Sequence, residues 1–262
     1  GYSVRIFTRN GAAARAQAHT PYTIIEGNLE DETSLARALD GCSGVHLSLP
    51  SGHQPQELER LQHGAAARIA RLAVAHGVEH LTYTSGYLVS EQFAHIPAER
   101  AKLNAEAAIR KSGVPFTIFR PTYFTDMLSR FVQGKRANIF GKQPHLIRFL
   151  ALSDYASMVS QAHQSRGANQ SLFVSGPEAM TFEQALGYYV ERVLPGVKVS
   201  HSPFWVMNLI NRMFLKGEIT EILQLMAATE RVGELGGDPS EANRLFGAPK
   251  TTVRDWVAQQ KL

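Results

Sequence analysis

Cysteine is almost missing from this chain: Cys42 is the single thiol in 262 residues, so no disulfide can close within it, and a reducing compartment suits it. Long apolar runs are missing too. Nothing approaches the ~20 residues of a membrane span, and the N-terminus has no signal-peptide pattern, so the expectation is a soluble, cytoplasmic protein with no membrane partner. A strong charge of either sign is lacking, with 27 Lys and Arg against 23 Asp and Glu for a net +4. Between Met127 and Ser153 acidic residues vanish altogether while Arg130, Lys135, Arg136, Lys142 and Arg148 remain, which describes either a solvated loop or a lip that attracts an anionic ligand. No nucleic-acid motif or aromatic-interleaved basic run accompanies them, so nucleic acid is not an expected partner. Ser85-Gly86 and Ser175-Gly176 lack the preceding glycine of a nucleophile elbow, and no P-loop occurs, which sets aside the hydrolase and P-loop readings. His76 and His80 are four apart, but Gly77 and Val78 interrupt the helix between them, so no metal site is expected.

What is present is an alternation of short strands and helices. Apolar residues make up 44% of the chain, enough for one large α/β domain with a modest annex. Tyr2–Thr8 alternates as a strand and closes with the turn residues Arg9-Asn10-Gly11. Tyr22–Asn28 is a second strand, Asp31 a plausible N-cap for the helix carrying Leu35, Ala38 and Leu39, and Val45–Pro50 a third strand. Leu58, Leu61, Ile69, Leu72 and Ala73 fall at helical spacing, and the strand His80–Ser85 follows. The helix around Lys102 stops at Gly113, ahead of the strand Phe116–Arg120. This rhythm predicts a doubly wound parallel sheet with right-handed crossovers. Beyond Arg120 a helix and then a short hairpin or loop, a helix from Asp154 and an outlying strand over Ser171–Pro177 are expected. Thr181 with Gln184 forms a capping box for the next helix. A short strand from Val197 then leads to helices near 203–215, 218–231, 239–246 and 252–260. The division is a nucleotide-binding unit over 1–175 and a smaller, mostly helical substrate-side annex over 176–262 that does not fold alone.

Taken as a set, Tyr83-Thr84-Ser85-Gly86, Lys102 with Glu106, and Ser112-Gly113-Val114-Pro115-Phe116-Thr117-Ile118-Phe119-Arg120-Pro121 resemble the NmrA-like branch of the atypical short-chain dehydrogenases/reductases. The resemblance runs from Val4 to Trp256. It implies a Rossmann-like fold, an NAD(P) cofactor, and Lys102 orienting that cofactor and a substrate carbonyl. An acidic residue just past the first strand grips an adenosine ribose, whereas an arginine accommodates a 2′-phosphate, so Arg9 favours NADP(H) over NAD(H). Asn28 and Leu29 match the adenine side, Ser48, Leu49 and Pro50 the middle of the cofactor, and Thr84, Ser85, Lys102, Pro121, Tyr123 and Phe124 the nicotinamide and substrate region. Each has an ordinary structural reading beside it: Lys102 as an exposed lysine facing Glu106, Arg9 as a surface arginine, Pro50 as a strand end.

Two departures from the pattern matter. The tyrosine that donates a proton in short-chain dehydrogenases generally lies four residues before the lysine, and that position holds Ala98; Ser85, Tyr87 and His95 are the candidate replacements. The family's first strand, glycine loop and helix also have no counterpart, for Gly1–Val4 matches the junction after that helix and no Gly-x-Gly-x-x-Gly occurs elsewhere. The expectation is therefore an N-terminally incomplete, inactive copy that binds NADP(H) poorly, with unpaired, aggregation-prone edges on the Tyr2 and Val45 strands and a slot between them. Two functions stand open. One is an NAD(P)H-dependent oxidoreductase acting on a small carbonyl, quinone or enone; the other is a non-catalytic NADP(H) sensor with a protein partner.

Overall fold

Asn10, Asp31, Thr181 and Thr252 each accept backbone N–H bonds where a helix begins, and these caps mark out the architecture. The computed structural model describes residues 2–17, 22–50, 52, 54–165, 169–235 and 237–260. Its first half runs β1 (Arg5–Thr8), α1 (Gly11–Gln17), β2 (Thr23–Glu26), α2 (Glu32–Leu39), β3 (Gly44–Leu47), α3 (Pro55–Leu58), a π-helical segment (Glu59–Gly64), α4 (Ala65–Ala75), β4 (His80–Thr84), α5 (Pro97–Ser112) and β5 (Phe116–Pro121). After a 3₁₀ segment (Thr125–Phe131) come β6 (Val132–Gln133), β7 (Arg136–Phe140), β8 (Ile147–Arg148), α6 (Leu152–Ser165), β9 (Gln170–Val174), β10 (Ala179–Met180), α7 (Phe182–Val193), β11 (Lys198–Ser202), α8 (Phe204–Met213), α9 (Thr220–Val232), α10 (Ser240–Phe246) and α11 (Val253–Gln259).

The main sheet has the order β3-β4-β5-β9, every pair parallel, so Leu47, Thr84, Pro121 and Val174 end their strands along one edge. Helices cover both faces. Leu81 and Tyr83 of β4 pack with Leu72, Ala105 and Ile109 of α4 and α5, while Thr82 and Thr84 bond to His163 and Tyr155 of α6. Strands β1 and β2 form a separate parallel pair. Among the described residues no ladder joins β1 to β3, and the facing edges that the sequence reading leaves unpaired are unpaired here. The two pieces nonetheless share one core, because Phe7 and Val45 both pack against the cluster of Leu35, Leu39, Leu47 and Leu81. Arg5 ties them further by donating to the carbonyls of Arg37, Ala38 and Asp40 at the end of α2, where an orphaned carbonyl group welcomes a cation.

The turn expected at Arg9-Asn10-Gly11 instead opens α1. Asn10 caps it, and its alanines carry no apolar periodicity that a sequence reading could detect. In the second half, β7 pairs antiparallel with β6 and parallel with β11, and β8 pairs with β10. Tyr123, Phe131, Ile139, Phe149, Phe182, Met226 and Trp256 form its core, drawing residues from both sides of position 176. The acid-free stretch meets its counter-charges on and just beyond α9. Glu230 accepts the Lys142 and Gln143 N–H groups, and Glu234 pairs with Arg148 at 2.7 Å. Among the described residues, no helix is long and apolar enough to cross a membrane.

Candidate active site

Strand β4 delivers Thr84, Ser85 and Gly86 to the C-terminal edge of the sheet, and α5 packs back across it. A Cβ built on Gly86 would lie 3.7 Å from Lys102 Nζ and 3.9 Å from Glu99 Oε2, so both charged tips border the end of β4. Lys102 does not face Glu106 at the next turn. Glu106 is fully buried and points inward, where its carboxylate accepts from Ser85 Oγ at 2.6 Å, Arg110 at 2.5 Å, and Arg120 Nε and Nη2 at 2.9 and 2.6 Å. Two guanidiniums and a hydroxyl satisfy a charge that would be costly to bury alone. Lys102 is left with Glu99, at 4.0 Å.

The three candidate proton donors are held in different ways. Ser85 is buried and its proton is committed to Glu106. Tyr87 meets Thr229 of α9 at 2.5 Å, and Tyr123 meets the same hydroxyl at 3.1 Å. Thr229 gives its own proton to the Leu225 carbonyl, so its two lone pairs receive both phenols. Burial first, and neighbouring phenol or carboxylate charge after it, push Tyr87 and Tyr123 upward from the ordinary phenol range. His95 lies on an exposed turn against the Gln92 carbonyl and lines a shallow cleft with Ile96, Gln224, Ala227, Ala228 and Arg231. The structure gives it no contact with Lys102.

Along the rest of the edge, Arg9 is exposed beyond β1. Asn28 is also exposed, its Oδ1 accepting the Glu30 N–H, while Leu29 packs against the main core and its carbonyl accepts from Arg68. Ser48 is exposed. Leu49 and Pro50 are anchored through their carbonyls by Gln62 Nε2 at 3.2 and 2.9 Å, and Gln62 Oε1 accepts from Tyr83 at 3.0 Å. Gln62 is buried within the π-helical segment, where the Ala65 N–H reaches back to the Arg60 carbonyl. Thr84 bonds to Tyr155 at 2.6 Å and His46 at 3.3 Å. Pro121 and Tyr123 are buried, and Phe124 leans on the Tyr155 ring.

Below this edge, facing α6, Thr82 joins His46 and His163, and His80 bonds to Thr117 with its ring edge-on to His163. Burial, with the nearby His163 charge second, lowers His80 to about 4, and burial lowers His163 as well. Among the described residues, no group of three or more His, Cys, Asp and Glu side chains is arranged to hold a metal ion. Glu99, Gln62 and Tyr155 are site residues that the sequence reading misses.

A parallel sheet sandwiched by helices, with a lysine brought to the C-terminal end of an inner strand, defines a Rossmann-like nucleotide-binding protein. The particular family follows from comparison: the model described as NAD(P)H-binding matches residues 1–141, and this chain belongs to that family. A reductase of (4-alkanoyl-5-oxo-2,5-dihydrofuran-3-yl)methyl phosphate from Streptomyces griseus is 27% identical over 266 residues, 98% of this chain and 89% of that protein. Among solved structures, the Citrobacter sp. triphenylmethane reductase complexed with NADP(H) superimposes with a TM-score of 0.75 at 20% identity, covering 98% of this chain and 90% of its own. The NADPH complex of the Escherichia coli quinone oxidoreductase QOR2 gives 0.74 at 19%, with coverages of 98% and 90%. The NmrA-like, atypical short-chain reductase reading accords with these neighbours.

The residues present fit two ends of a dinucleotide. Lys102, beside the buried Glu99 at the end of β4, and the exposed Arg9 beyond β1 are the cationic groups of that fit. Among the described residues, no strand-to-helix turn carries the glycines of a pyrophosphate cradle.

Proposed function

We propose that the protein is an NAD(P)H-dependent reductase, preferring NADP(H), of a small carbonyl, quinone or enone. The observation that carries this reading is Lys102, partly buried beside Gly86 at the end of β4 with no carboxylate in hydrogen-bond range. When bound, NADPH supplies the hydride. Lys102 orients the nicotinamide ribose and polarises the substrate oxygen, Pro121, Tyr123 and Phe124 exclude water, and Arg9 meets the 2′-phosphate. Made in a complete protein that carries the pyrophosphate-binding glycine loop, Lys102→Ala is expected to depress turnover more than cofactor affinity, with a loss of roughly a hundredfold in kcat, since removing one charged stabilising donor costs about that. Equal turnover in the variant would take Lys102 out of the mechanism.

A second reading, an NADP(H) sensor acting on a protein partner, is favoured by one feature. Position 98 is a buried alanine, and the Ser85 and Tyr87 protons are committed to Glu106 and Thr229. A screen of small carbonyls and quinones that drives NADPH oxidation would eliminate it.

A further inference from the structure

The apolar side chains of α8 divide between two faces. Phe204 and Met207 turn towards the annex core, where Phe204 lies against Gly141 and Met207 meets Asn138 of β7. Trp205, Leu209 and Met213, spaced four apart, form an exposed ridge on the other side, and Phe214 continues it. Trp205 is 71% and Phe214 72% exposed. Four of the eleven large apolar side chains that stand exposed among the described residues fall within Trp205–Phe214, so they make a patch and not a scatter.

The ridge is also cationic. Arg212 and Lys216 are exposed on and just past it, and no Asp or Glu occurs from Arg192 to Gly217. This acid-free stretch pairs with the other one, Met127–Ser153, through β11 and β7, where Lys198 is the register partner of Arg136 and its N–H donates to the Lys135 carbonyl. Arg136 shares a face of β7 with Asn138, the residue that meets Met207, so Arg136 and Lys198 flank α8. None of Lys135, Arg136, Lys198, Arg212 and Lys216 is in an ion pair among the described residues. A second copy is a poor occupant for such a face, because a two-fold contact sets like charges against one another. Anionic headgroups over an acyl boundary answer both features: tryptophan, phenylalanine and leucine enter the boundary, while arginine and lysine rest their stems on it and reach the phosphates. We propose that α8 and the turn after it are a docking surface for an anionic lipid bilayer, with the helix lying in the plane of the interface. The expectation of no membrane partner rests on the lack of a spanning segment, which a helix lying on the surface does not need.

The test is flotation of the chain with vesicles of phosphatidylcholine alone and with vesicles of equal parts phosphatidylcholine and phosphatidylglycerol; flotation leaves aggregated protein behind. The chain should float with the mixed vesicles only, less so as salt is added, and the Trp205 emission should move to shorter wavelength. Arg212→Gln with Lys216→Gln should weaken binding about twenty-five-fold, at about fivefold for each charge removed near the surface. Leu209→Gln and Phe214→Gln should each weaken it about tenfold. All four side chains are exposed, so these variants keep the fold. A wild type that does not float with the mixed vesicles overturns the proposal, as does equal flotation with both kinds or flotation that the four substitutions leave unchanged. Self-association in sedimentation equilibrium that Phe214→Gln abolishes, without flotation, overturns it too and gives this face to a second copy.

Discussion

Glu106 is the residue on which the ligand edge is built, since one buried carboxylate holds the end of β4 through Ser85 and the end of β5 through Arg120. Glu106→Ala would leave two guanidiniums facing an empty site and is expected to cost about 3–5 kcal/mol in urea unfolding. His80 sets a different dependence. Its folded pKa of about 4 lies below the unfolded value near 6.5, so between those two pH values the unfolded chain binds a proton that the folded chain refuses. Stability is full above pH ~6.5 and falls as the pH drops towards ~4, by roughly 3 kcal/mol for this fully buried ring. His80→Gln should flatten that part of a stability-against-pH curve. That Lys102 reaches the end of β4 was legible in the sequence, because its helix follows that strand and leads into the next one. Glu99 was not, since a glutamate in a first helical turn reads as a dipole partner until its side chain is seen to be buried.

At the scale of elements, signals confined to a few neighbouring residues were readable. Asp31, the Thr181–Gln184 box and the left-handed Gly113 lie where the sequence puts them, because caps are local chemistry. Thr181→Ala should lower stability by about 1 kcal/mol, measured by thermal unfolding. Two elements escaped. Helix α1 is mostly alanine, and the π-helical segment hides inside an apolar spacing that continues from Leu58 to Leu72 as if the helix were regular. Gly176 is a tighter constraint than its sequence suggests. A Cβ there would sit 1.7 Å from the Phe149 carbonyl oxygen, so Gly176→Ala must displace the chain ahead of α6, and a drop in melting temperature of several degrees is expected.

Across the whole molecule, the alternation of strands and helices was enough to give a parallel sheet with helices on both faces. The pairing of β7 with β11 and the clamp of Glu230 and Glu234 on residues 142–148 were not readable, because they join segments some 60 to 90 residues apart through no shared local pattern. The sheet's division has a measurable result. Four-residue strands β1 and β2, half-buried or exposed and paired among the described residues only with each other, should exchange amide hydrogens well ahead of β4 and β5 in native-state hydrogen exchange. Comparable protection throughout would mean that the two pieces open as one unit.

A π turn holds one residue more than an α turn, so Glu59–Gly64 is a place where this chain can change length without losing its helix. Deleting one residue there would leave α3 and α4 as a plain α-helix, with Leu58 of α3 against α5 and Ile69 and Leu72 of α4 against the sheet. It would also swing Gln62 away from Leu49 and Pro50, releasing the loop that follows β3. A single codon lost at this point would reshape the ligand edge while the sheet beneath it stayed as it was.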